Sequence, residues 1–348
     1  DAMNTDPLDR LPDGFLQYQY QMLGIADYLT RPDVTEICIN RPGELFLETH
    51  AGWQCVPVAG LTPERVRHFC TTIVNESQTG QRITAAEPLV SLTFPSGQRA
   101  QFIIPPAVEA ERVSITIRLP SRQPPSLEQY AEQGFFEQLA PQTQRLPTHD
   151  RQLLELLHQG RHADFFRLAV LQHKTLVVSG ATGSGKTTFM KSLVGHIPER
   201  ERLVTIEDAR ELFIAQPNAV HLLYSKGGQS LAPVSAKSCM EAALRMKPDR
   251  IILAELRGDE AFYFIRNCAS GHPGSITSCH AGSVAQTWDQ LALMVKASPE
   301  GAGLEFGVIQ RLLQQTIDIV VHVRAHAGKR QLTGIHFDPQ AQLEATCS

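Results

Sequence analysis

Gly180-Ala-Thr-Gly-Ser-Gly-Lys-Thr187 satisfies G-x-x-x-x-G-K-[ST] at every fixed position. It stands between an apolar, β-branched run, Thr175-Leu-Val-Val-Ser179, and a helix-like run from Thr188 to His196. That is the strand–loop–helix setting a phosphate-binding loop requires. Glycines let backbone N–H groups turn inward around phosphate oxygens, and the positive N-terminal end of the next helix adds to the same field. The stretch predicts a cradle over Gly180, Ala181, Thr182, Gly183, Ser184, Gly185, Lys186, Thr187 and Thr188. Lys186 is expected to reach the β- and γ-phosphates of ATP, and Thr187 to hold Mg²⁺.

The surrounding sequence continues the same alternation. Arg202–Ile206, Arg250–Leu253, Gly274–Ser278 and Ile317–Val323 are further strand-like runs separated by helical patterns. Their near-continuous apolar character implies burial on both faces, so the expected fold is α/β, a mostly parallel sheet covered by helices, over residues 166–348. Residues 120–165 read as a Pro/Gln-rich linker with short helices, punctuated by Pro120, Pro124, Pro125, Pro141 and Pro147. Residues 1–119 read as an α+β domain on a largely antiparallel sheet. Its expected strands are Val34–Ile39, Glu44–Glu48, Leu89–Phe94, Arg99–Ile104 and Arg112–Leu119. One amphipathic helix is expected over Phe15–Leu29, and another opens at Thr62-Pro63 with threonine as N-cap.

Composition narrows the class. The 348 residues are 42% hydrophobic and 20% charged with a formal net charge of −4, enough for two domains with real cores and without an overall basic nucleic-acid footprint. No apolar run approaches the roughly 20 residues that span a bilayer. The acidic N-terminus lacks a signal pattern, so a cytoplasmic location is expected. Seven cysteines without a C-x-x-C pair fit reduced thiols.

Hydrolysis needs groups beyond the cradle: one to orient water, others to offset phosphate charge. Glu207, Asp208 and Glu211 cluster at the end of one strand, where α/β proteins present ligand-binding groups. They fit either a solvated helix start or positioning of water and Mg²⁺. Lys247-Pro-Asp-Arg-Ile-Ile-Leu-Ala-Glu255 ends a strand in a carboxylate that could hold Mg²⁺ through water or polarise the attacking water, with Arg257 as a charge partner. His272 and His280 bracket a short strand. A zinc pair, ordinary polar loop residues and a γ-phosphate sensor are the three readings they allow.

The ordered stretches GATGSGKT, TIEDARELF, MKPDRIILAELRGDEA and GHPGSITSCHAG resemble the Walker A, Asp box, Walker B and His box of the secretion traffic ATPase superfamily. The resemblance implies a RecA-like C-terminal domain. It makes Glu207 and Asp208 the Asp-box acids, Glu255 the Walker B glutamate and His280 the His-box histidine. It also implies that Arg99 and Arg118, from the N-terminal domain, act on the nucleotide phosphates, and that Asn75 lies near the base. Ala254, Gly258 and Cys279 depart from the usual pattern conservatively. No C-x-x-C zinc insertion of the type II branch is present, and the compact N-terminal domain and long linker look more like the type IV secretion and conjugation branch. That implies a homo-oligomeric, hexameric ring at the cytoplasmic face of the inner membrane. It would be peripherally associated with the membrane and would work with secretion machinery and other secretion ATPases. Conjugative DNA transfer and effector export are the cargo options, and direct sequence-specific nucleic-acid binding is not expected. A pilus or type II motor, a nucleic-acid-stimulated motor and an ATP-binding scaffold are the alternatives.

Overall fold

The computed structural model describes residues 13–77, 79–120, 124–137, 145–225 and 233–347. Six strands form the first sheet: β1 (Val34–Ile39), β2 (Glu44–Thr49), β3 (Gly52–Pro57), β4 (Leu89–Thr93), β5 (Arg99–Ile103) and β6 (Ser114–Arg118). Their order is β3-β2-β1-β6-β5-β4, and every pairing is antiparallel. Because side chains alternate along a strand, the sheet has two different faces. Ile37 and Ile39, Ile115 and Ile117, and Phe102 pack against helices Asp13–Leu23 and Pro63–Glu76. Thr62 caps the second helix by accepting from the N–H of Arg65, and Pro63 follows it, as expected. The predicted Phe15–Leu29 helix divides: the chain turns at Gly24 (φ 74°) before a short helix, Ala26–Thr30.

The opposite face carries Glu36, Cys38, Gln101, Ser114 and Thr116, all buried although most are polar. It is covered by the second half of the chain. There, β7 (Leu176–Ser179), β8 (Leu203–Glu207), β9 (Ala219–Leu223), β10 (Arg250–Leu256), β11 (Ile276–Cys279), β12 (Ile319–His326) and β13 (Lys329–His336) form a seven-stranded sheet. Its order is β13-β12-β7-β11-β10-β8-β9, parallel except for the β12–β13 hairpin. Strands that read as continuous apolar runs, such as β7 and β8, are buried along their whole length. Helices Lys186–Val194 and His162–Leu171 contribute to the core on one side, and helices Ala236–Leu244, Glu260–Ala269, Val284–Ala297 and Phe306–Thr316 to the other. Helix Thr148–His158 falls in the segment read as linker. Its Leu153 nevertheless joins the core around Leu176 and Val178, and its Asp150 pairs with Lys174 at 2.6 Å. Among the described residues no helix is long and apolar enough to cross a membrane.

Arg202 ties the two sheets together. It is fully buried, donating to Met246 O (2.8 Å), Asn40 Oδ1 (2.8 Å) and Asn218 Oδ1 (2.7 Å). Its guanidinium lies 5.6 Å from the Trp53 ring centre. Trp53 Nε1 in turn donates to Asp249 at 3.1 Å. Lys247 pairs with Glu48 (3.2 Å), and Leu223 N–H donates to Ala107 O (2.8 Å).

Candidate active site

The phosphate-binding loop leaves the C-terminal end of β7, and helix Lys186–Val194 begins where it closes. Gly180 has to be glycine because a Cβ there would collide with Val323 O and with Ser184 Oγ. Gly185 adopts φ 99° as the residue before the helix, a conformation glycine takes without the usual steric cost. Lys186 is buried and folds back over the loop, donating to Gly180 O (3.0 Å) and Ala181 O (2.9 Å). Burial holds its ammonium below the ordinary lysine value, against the opposing pull of Glu255. Ser184 Oγ is buried with no hydrogen-bond partner among the described residues, a polar group left for whatever the loop encloses. Thr187 is half-buried and Thr188 exposed in the first helical turn.

Three other strand ends converge on this loop. His280, just past β11, places Nδ1 3.5 Å from Lys186 Nζ and Nε2 2.5 Å from Glu255 Oε1. The Nε2–Oε1 approach brings imidazole and carboxylate together without hydrogen-bond geometry. Glu255, near the end of β10, also accepts from Arg257 Nε at 2.5 Å. Arg257 Nη1 extends the chain to Asp208 Oδ2 at 3.2 Å, just beyond β8. Lys186, His280, Glu255, Arg257 and Asp208 thus form one continuous line of contacts along the C-terminal edge of the sheet. That edge is where open parallel sheets bind ligands.

Not every expected residue joins this line. Glu207 is fully buried and turns the other way: Oε1 accepts from the N–H groups of Glu211 (2.9 Å) and Leu212 (2.7 Å), and Oε2 from Arg210 (3.3 Å). It folds the loop that carries Asp208. Arg210, which sequence reasoning did not single out, bridges Glu207 to Glu109 of the first sheet's β5–β6 connection (2.5 Å). No sequence signal marks it, because its partner is 101 residues away. His272 stands before β11, at the opposite end of that strand from His280, and feels Lys247. No group of three His, Cys, Asp or Glu side chains among the described residues could hold a metal. Standing at opposite ends of β11, His272 and His280 are not brought together as a zinc pair. Asn75 lines a surface hollow with Gly80, Gln81 and Arg82.

Arg99 and Arg118 sit directly opposite each other on β5 and β6. Arg118 pairs with Glu36 at 3.6 Å, and Glu36 lies in the field of Lys247, which precedes β10. Glu255 stands five residues beyond Arg250 on β10. With the two intervening strand spacings to β7, the arginine pair is on the order of 20 Å from its own phosphate-binding loop.

Residues 24–329 match the family described as Type II/IV secretion system protein. The Type IV secretion system protein VirB11 of Brucella suis is 44% identical over 326 residues, covering 91% of this chain and 89% of that one. The Type IV secretion system protein PtlH of Bordetella pertussis is 40% identical over 324 residues, covering 92% and 94%. The crystal structure of the VirB11 ATPase from the Brucella suis type IV secretion system, in complex with sulphate, superposes with a TM-score of 0.88 at 42% identity, covering 94% of this chain and 99% of that one. The chain belongs to the Type II/IV secretion system protein family.

Proposed function

We propose that the protein is a Mg²⁺-dependent ATPase that powers type IV secretion as a cytoplasmic hexameric ring at the bacterial inner membrane. Its partners would be the secretion machinery and the other ATPases of that system. Residues 1–119, 120–165 and 166–348 would be its N-terminal domain, linker and RecA-like motor. The observation that carries the reading is the unbroken Lys186–His280–Glu255–Arg257–Asp208 line across the mouth of a phosphate-binding loop. Conjugative DNA transfer and effector export are both compatible with it.

Lys186 would exchange the loop carbonyls it now touches for β- and γ-phosphate oxygens, which releases His280 Nδ1 to face the γ-phosphate. Glu255, held by His280 and Arg257, would orient the attacking water. Thr187 and Glu255 would hold Mg²⁺. Two protein oxygens are a sparse set, and they suit an ion that completes its shell with nucleotide phosphates and water. The bound ion would neutralise charge on the phosphates. Asp208 would hold Arg257 in line, and Glu207 would fix the loop that presents Asp208. Arg99 and Arg118, remote from their own loop, would act on the nucleotide of a neighbouring subunit in the ring. Lys186→Ala should lose steady-state ATP hydrolysis by about a hundredfold or more while keeping its circular dichroism spectrum. A folded Lys186→Ala variant turning over ATP at the wild-type rate would reject the site.

A further inference from the structure

β12 lies directly beside β7, with Val321 opposite Val178 and His322 opposite Ser179. The chain that continues from β12 into its hairpin therefore passes alongside the phosphate-binding loop. The carbonyl of Val323 fills the space a Cβ on Gly180 would need. A register shift between His322 and Val323 redirects the hairpin at this point. Beyond it, Ala325 pairs with Arg330, and Val323 with Leu332. By strand alternation these four share one face. Val323 belongs to the core that also contains Met190 and Leu193 of helix Lys186–Val194, so this face is the one on which that helix packs. The small Ala325 leaves room for the Arg330 side chain to lie across the helix start. There, Arg330 Cδ stands 2.7 Å, and Nε 3.2 Å, from the position a Cβ on Gly185 would take. Arg330 is exposed, and it forms no ion pair among the described residues.

We propose that Arg330 is a nucleotide-binding residue that engages the α- and β-phosphates from the β12 side of the loop. The inference rests on the phosphate-loop reading and extends it to a side chain outside all four motifs. Position argues for these two phosphates. The backbone of the loop and first helical turn cradles the α- and β-phosphates, whereas the lysine reaches onward to the γ-phosphate. Glu255 and His280 approach from β10 and β11, on the other side of β7 from the hairpin. The guanidinium, a planar fork of donors with no carboxylate competing for it, matches phosphate oxygens. Arg330 therefore contributes to holding ATP and ADP alike and stands apart from the oriented water.

The test is calorimetric binding of ADP and of ATP to the full chain, together with Michaelis analysis of hydrolysis. Arg330→Ala is expected to weaken ADP and ATP binding by about tenfold, with KM rising by a similar factor and kcat at saturating ATP within roughly twofold of wild type. Arg330→Lys should recover part of the loss, and Arg330→Gln serves the same purpose should the alanine variant melt early. Unchanged ADP affinity in a folded variant overturns the inference, as does a fall in kcat with affinity intact. Wild-type protein that binds neither nucleotide overturns the phosphate-loop reading itself, a separate and recognisable failure.

Discussion

Glu255 is engaged from two directions, by His280 on one oxygen and Arg257 on the other. Glutamine in its place retains the shape and one acceptor but offers amide hydrogens where the proposed water-orienting role calls for a carboxylate. Glu255→Gln is therefore expected to bind ATP near normally and to hydrolyse it about a hundredfold more slowly. A wild-type single-turnover rate would move the water-orienting role elsewhere. Glu36 illustrates a different use of a buried carboxylate. Burial raises it to about 7, with Arg118, Lys247 and Arg202 pulling down and Glu48 pushing up. The folded chain thus binds this proton more tightly than the unfolded chain. Its contribution is fully present below the unfolded carboxyl value of 4.5 and is lost as pH rises through about 7, by about 3 kcal/mol in full. Urea unfolding at pH 5 and pH 8 should show this fall in wild type and a flatter profile in Glu36→Gln. Parallel profiles would remove Glu36 as the cause.

The loop between β8 and β9 is organised by one arginine. Arg210 bonds Glu207 and Glu109, and its guanidinium lies 4.8 Å from the Phe213 ring centre. This element joins the Asp208 end of the contact line to the first sheet. Arg210→Ala leaves the fully buried Glu207 with backbone donors and Thr205 alone, and frees Glu109. A loss of about 2 kcal/mol in unfolding free energy, together with slower ATP turnover, is expected. Equal stability and turnover in the variant would show the latch to be idle. Such long-range partners are what a sequence hides. β7, β8, β10 and β11 were legible because burial on both faces demands continuous apolar runs. The three strands that were not anticipated, β3, β9 and β13, are all sheet edges. β3 has no buried residue, and β13 opens with Lys329-Arg-Gln331. With one side unpaired and a face in water, neither needs an apolar pattern. Arg330 was invisible for the same reason: nothing local in an exposed hairpin shows that it folds against Gly185.

Within one chain the two sheets meet through Arg202, Trp53, Asp249 and the Lys247–Glu48 pair. These contacts lie at the N-terminal ends of β8 and β10, whereas the phosphate-binding loop and Glu255 lie at the C-terminal ends, which, among the described residues, the first sheet reaches only through its β5–β6 connection at Ala107 and Glu109. The chain therefore holds Arg99 and Arg118 on the wrong side to serve its own nucleotide, unless the interface opens. The proposed ring would resolve the conflict by setting one subunit's arginine pair against the next subunit's loop. The two arrangements differ in a way that mixing reveals. Arg118→Ala subunits retain an intact loop and lack the arginine, and Lys186→Ala subunits retain the arginine and lack a working loop. If the arginine acts across subunits, an Arg118→Ala loop next to a Lys186→Ala neighbour regains its missing charge. Equimolar co-assembly of the two variants should then recover about a quarter of wild-type ATPase activity on random arrangement, since half the loops are intact and half of their neighbours carry the arginine. If the arginine acts within its own chain, no subunit in the mixture has a complete site. Activity then stays at the sum of the two separate variants, and the cross-subunit assignment fails.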